Sequence, residues 1–188
     1  MIGNYLSSPR HNQNVWHSLA KHLSENGWEV ITSSSRESQI LRLLDMVFSI
    51  LRNRKKINLA QVDVFSGRAF YFAETTAKLL RIFKKPVILT LHGGKLPQLA
   101  QKQPGRVRRL LKSARVVVTP SPFLQKSLSN LRSDIRLIPN PVELENFTYR
   151  ERTNIAPKLV WIRVFHQIYN PLMAVEVVKL LRADYPNI

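Results

Sequence analysis

Cysteine is absent from all 188 residues. That excludes disulfide frameworks, thiolate zinc sites, iron–sulfur clusters and cysteine nucleophiles, and it agrees with a reducing compartment. No run of about 20 apolar residues occurs, so no helix of membrane-spanning type is expected. The first twenty residues lack the basic-then-apolar pattern of a secretory leader. Neither a Walker loop nor a G-x-G-x-x-G run follows the first strand, so nucleoside triphosphatase and dinucleotide-binding readings fail on their own motifs. Acid is also scarce. Twelve Asp and Glu stand against 29 Lys and Arg, a net charge of +17. Between Glu74 and Asp134 there are thirteen basic side chains and no acid.

Residues 1–150 carry a net +15 and residues 151–188 only +2. A field of that sign attracts phosphate-bearing ligands, nucleic acid or acidic lipid; it also serves plain solubility. Hydrophobic residues at 44% and charged residues at 22% are ordinary for a globular protein. A chain of this length buries roughly 70% of its unfolded surface and needs no covalent or metal staple.

Periodicity alternates in type along the chain. Val30–Thr32, Val62–Phe65, Val87–Leu91, Val116–Thr119, Ile135–Ile138 and Leu159–Val164 read as strands, with Met1–Leu6 left to supply the first one. Helical spacing covers about 15–26, 36–54, 68–84, 104–113, 121–131 and 171–184, and Gly27 stands where the first helix should stop. Strand–helix alternation predicts an α/β class: a doubly wound, Rossmann-like parallel sheet covered by helices on both faces. Pro139 and Pro141 flank Asn140 and stiffen the chain. The predicted division is a domain over 1–150 and a piece, 151–188, too short to fold as a domain of its own.

In such sheets ligands sit beyond the carboxyl ends of the strands. The loops expected there hold Arg10, His11 and Asn12, then Ser66, Gly67 and Arg68, then His92, Gly93, Gly94 and Lys95, then Ser121. In Leu91-His92-Gly93-Gly94 the glycines allow close backbone approach and their amides can hold a phosphate or sugar oxygen. A histidine there can orient a hydroxyl; equally, it can cap the next helix above a simple turn. Arg10 near a helix start opposes the helix dipole, which suits an anion between them, or plain exposure. His17 and His22 share no metal-binding face, and Glu176 and Asp184 read as solvated charges. The stripe Ile40, Leu43, Leu44, Val47, Ile50 and Leu51, followed by Arg52, Arg54, Lys55 and Lys56, faces either the core or a membrane surface. Phe65, Phe70, Tyr71 and Phe72 read as packing residues.

Order and spacing of several segments together resemble the amino-terminal half of a family 4 glycosyltransferase, of the GT-B fold. The segments are the loop Ser7–Asn12 before helix Val15–Asn26 and Gly27-Trp28-Glu29-Val30, then Thr90-Leu91-His92-Gly93-Gly94, Val117-Val118-Thr119-Pro120-Ser121, Ile138-Pro139-Asn140-Pro141-Val142 and Leu159-Val160-Trp161-Ile162-Arg163. The resemblance implies sugar transfer from a nucleotide-activated donor, a co-substrate, to an acceptor alcohol on a glycan or lipid, with no metal. It implies that His92 lies near the reacting centre and that Arg163 contacts the donor diphosphate. By loop position Arg10, Asn12, Ser66, Arg68, Gly93, Gly94 and Ser121 line the acceptor cleft.

The resemblance further implies a cytoplasmic protein that docks peripherally on anionic membrane through its basic amino-terminal domain, with no specific nucleic acid as partner. Arg10-His11-Asn12 replace the family's glycine pair, and Tyr169-Asn170 stand where a lysine is usual. The paired glutamates that hold the nucleotide sugar in the family fall beyond this stretch, so the chain is expected to be a fragment, inactive alone. The rival expectation is a non-catalytic basic module for nucleic acid or anionic lipid.

Overall fold

Val62, Val64, Leu89, Leu91 and Val117 occupy alternate positions on three short strands, and covering that one face organises the rest. The computed structural model describes residues 1–3, 15–33, 38–141, 144, 147–151, 158–163, 165–186 and 188. The chain divides into two compact units, Met1–Val142 and Glu143–Ile188, where sequence reading places the division at 150/151.

In the first unit β1 (Ala60–Val64), β2 (Val87–Leu91), β3 (Val116–Thr119) and β4 (Arg136–Leu137) form a parallel sheet in chain order. Val64 pairs with Leu91, and Leu89 with Val117. Ile2 adds single parallel bridges to Ser33 on one side and Val62 on the other. The spatial order therefore runs Ser33, Ile2, β1, β2, β3, β4. The chain leaves Ile2 in one direction and returns on the other side, so strand order reverses between Ile2 and β1. The sheet is doubly wound, and the reversal marks where such folds bind ligands.

Helix α1 spans Val15–Glu25, α2 Gln39–Asn53, α3 Ala69–Ile82, α4 Leu96–Lys102, α5 Pro104–Ser113 and α6 Pro122–Leu128. α3 packs on β1 and β2, with α2 and α5 against it, while α6 covers β3 and β4. Phe70 and Leu80 of α3, Leu96 of α4, Leu111 of α5 and Leu128 of α6 are fully buried over the sheet. None of the described α1 residues joins this core. On the second face Gln61, Ile88, Val116 and Val118 are half-buried, and Asp63 and Thr90 are buried.

Some expectations need correction. Val30–Thr32 forms no strand; Ser33 bridges to Ile2, and the Met1 ammonium donates to Ile31 C=O at 2.6 Å. β1 begins earlier than Val62 and stops before Phe65, and α4 escapes sequence reading because its Pro97 and short length obscure helical spacing. In the second unit the described residues 158–163 form no strand. A strand needs a neighbour for its backbone groups, and none forms among the described residues of this unit. Leu159, Val160 and Ile162 are exposed there. The unit contains a 3-10 turn at Gln167–Tyr169 and α7 (Pro171–Leu181), which buries none of its residues within the unit.

Two helices end alike with different residues. After α1, Trp28 N–H reaches Leu23 C=O at 3.0 Å and Gly27 N–H reaches Ser24 C=O at 3.0 Å, with Gly27 at φ +83°. That is the Schellman arrangement glycine favours. After α3, Lys85 N–H bonds Leu80 C=O and Lys84 N–H bonds Arg81 C=O, both at 2.9 Å, yet φ +54° falls on Lys84. A Cβ is strained in that region. Lys84→Gly is therefore expected to raise stability by about 0.5–1 kcal/mol, read as an increased urea midpoint at unchanged slope.

Candidate functional site

An acid inside a strand is costly, and in this acid-poor chain Asp63 sits inside β1. Side chains alternate along a strand, so Asp63 and Phe65 project from the same side. The pairing of Asp63 with Thr90 and Val64 with Leu91 sets His92 beside them. His92 N–H donates to Val64 C=O at 2.9 Å, carrying the pairing one residue past β2. Its imidazole stacks on the Phe65 ring, centroids 5.1 Å apart and planes at 25°. Its Nε2 lies 3.7 Å from Asp63 Oδ1, with the two side chains 13% and 4% exposed. One step deeper, Gln61 Nε2 donates to Thr90 Oγ1 at 3.1 Å. A polar ladder thus climbs one face of β1 and β2 towards their carboxyl ends, beside the strand reversal.

Burial raises the Asp63 carboxyl above the usual carboxylate range; the His92 side chain and the Met1 ammonium oppose that rise. Asp63 also borders a small cleft of about 110 Å³ between β1, α2 and α3, with Met46, Val62, Phe72 and Ala73 in its walls and Arg42 at its lining. That volume, among the described residues, is well below the roughly 300 Å³ of a small-molecule pocket.

Ser66, His92 and Ser121 follow neighbouring strands β1, β2 and β3, so the sheet brings their loops to one rim. Ser66 is half-buried, and Arg68 is exposed just ahead of α3. Gly93 takes φ +84° and Gly94 is open, with no atom within 4 Å of an added Cβ. Ser121 is committed to the chain itself, since its hydroxyl accepts from Leu124 N–H at 3.3 Å and caps α6. Arg10 and Asn12 lie outside the described residues. Arg163 belongs to the second unit, where its guanidinium lies 5.5 Å from the Tyr169 ring centroid, and Trp161 Nε1 donates to its carbonyl at 3.1 Å. Among the described residues no group of three or more His, Asp or Glu gathers to hold a metal ion, and no helix is long and apolar enough to cross a membrane.

Sequence reading misses Asp63, taking Val62–Phe65 as a plain apolar run. The signal is present all the same: a carboxylate between valines, one strand before a histidine loop.

The basic stretch is partly used internally. Arg106 forms a two-pronged pair with Glu74, its Nε 2.8 Å from Oε1, and stacks on Tyr71 at 4.1 Å. Arg132 pairs with Asp134 and donates to the carbonyls of Leu111 and Ala114, closing the carboxyl end of α5. The two acids that bound the acid-free stretch each hold an arginine from inside it. Lys78 and Arg81 of α3 and Arg108, Arg109 and Lys112 of α5 remain exposed.

A family model described as Glycosyltransferase Family 4 matches residues 13–146. No curated protein and no solved structure matches the chain.

Asp63 also sets a pH dependence. Its folded-state affinity for protons exceeds the unfolded one, so its favourable contribution is complete below about pH 4 and is lost as pH rises through the folded value. Asp63→Asn is expected to raise the unfolding temperature at pH 7, with the gain shrinking towards pH 4 in thermal scans followed by circular dichroism.

Proposed function

Because the chain belongs to glycosyltransferase family 4, we propose that it takes part in moving a sugar from a nucleotide-activated donor, its co-substrate, to an acceptor hydroxyl of a glycolipid, polysaccharide or other glycoconjugate. What supports this reading is His92, inside the matched stretch, held at the carboxyl end of β2 where strand order reverses nearby. In the transfer the acceptor oxygen bonds to the anomeric carbon, the bond to the donor phosphate breaks, the nucleoside diphosphate leaves with the electron pair, and the proton of the acceptor hydroxyl passes to the departing diphosphate. His92 orients the acceptor hydroxyl. The Ser66 and Arg68 loop and the Gly93-Gly94 amides border the acceptor. Arg163 offsets charge developing on the leaving phosphate. No metal is required by these roles.

Transfer of radiolabelled sugar from a panel of nucleotide sugars, measured with these residues joined to a complete donor-binding half, tests this. His92→Ala is expected to lower turnover by about 100-fold or more, in protein whose circular dichroism shows it folded. Undiminished transfer removes His92 from the chemistry, and absence of any nucleotide-sugar-dependent transfer or binding overturns the transferase reading.

A peripheral position on the cytoplasmic face of an anionic membrane is supported by α2. Met46 and Ile50 face the core, yet Ile40, Leu41, Leu44 and Phe48 are exposed along the opposite side, and Arg52, Arg54, Lys55 and Lys56 follow. An apolar face with a basic end suits an interfacial helix. Leu44→Ser with Phe48→Ser is expected to weaken co-sedimentation with phosphatidylglycerol vesicles about tenfold. Unchanged vesicle binding overturns this placement.

A further inference from the structure

β1 and the residue after it meet the His92 imidazole twice. Phe65 stacks on the ring face, and Asp63 stands at its Nε2 edge, 3.7 Å away. The ring therefore has a fixed plane and a fixed edge, and Nε2 is buried. A neutral imidazole carries one N–H and one lone pair on different nitrogens, and a carboxylate only accepts. A carboxylate beside one nitrogen draws the proton there and leaves the lone pair on the other.

We infer that Asp63 is a positioning residue that holds His92 as the Nε2–H tautomer and keeps that edge of the ring turned to β1. This deepens the reading of His92 as the group at the reacting centre and rests on it. The separation of 3.7 Å exceeds a hydrogen bond, and such contacts shorten when substrate binds. Two charged groups neighbour Asp63 from elsewhere: the Met1 ammonium acts on it, and Arg42 of α2 lines the cleft it borders. The stabilising alternative for that position is an apolar side chain, as at Val62 and Val64 on either side. Retaining a buried acid there, beside the histidine, is a cost that orientation of the imidazole explains.

Long-range proton–nitrogen correlation spectra of the chain labelled with ¹⁵N-histidine read the tautomer directly. The wild type is expected to show the proton on Nε2. Asp63→Asn, of the same shape, is expected to move the ring nitrogens towards a tautomer mixture, while Phe65→Leu leaves the tautomer in place. In the transfer assay Asp63→Asn is expected to lower kcat about 10- to 100-fold, with the donor KM unchanged and the pH profile displaced. The wild-type spectrum decides the matter even if a variant fails to fold. Proton on Nδ1 in the wild type, or nitrogen shifts unaltered in folded Asp63→Asn, overturns the inference whatever the transfer assay shows. A tautomer that depends on Asp63 together with undiminished transfer by His92→Ala overturns instead the catalytic reading of His92.

Discussion

The pairing of Val64 with Leu91 governs the rest of this molecule. Parallel strands have a side-chain period of two, so a slip of one residue would exchange the two faces of the sheet. In the observed register Val62, Val64, Leu89 and Leu91 all enter the core under α3, and Gln61, Asp63, Thr90 and His92 all turn to the other side. Apolar burial and polar assembly are then one event. The core residues supply the energy that keeps the register, and the register brings a carboxylate and an imidazole 29 residues apart in sequence into one constellation.

Charge is handled with similar economy. A chain with a net charge of +17 repels itself when compact. Glu74 and Asp134 sit at the two limits of the acid-free stretch and each neutralises an arginine within it, so the fold turns two potential sources of repulsion into ties between α3 and α5 and across the end of α5. The exposed lysines and arginines that remain on α3 and α5 keep a positive surface that suits phosphate-bearing partners. Asp63 is the contrary case. It is an acid whose charged form burial disfavours, placed where the sheet would be more stable without it. Such a cost is typical of a working site.

Much of the architecture was legible in the order of residues. α5 begins at Pro104 and ends at Ser113, where a proline start and a basic amphipathic run put it, and Gly27 closes α1 as its lack of a side chain allows. β2 spans Val87–Leu91 as its unbroken apolar run requires. Boundaries went astray where local signals compete with pairing. Leu159–Val164 has strand composition, but composition cannot supply the neighbour a strand needs. α4 hides behind Pro97 and only about two turns of helix, too few for a period to show.

By itself the sequence determined the class of fold, the positive field, the histidine–glycine turn after β2 and membership of a glycosyltransferase family, because each is carried by residue type, period or order along the chain. Tertiary structure alone decided that Asp63 and Phe65 belong with His92, that Arg106 and Arg132 are internal ties, and that Ser121 is committed to a helix cap. These depend on which strands become neighbours and in what register. That choice is made by the burial of side chains distant in sequence, and no local pattern records it.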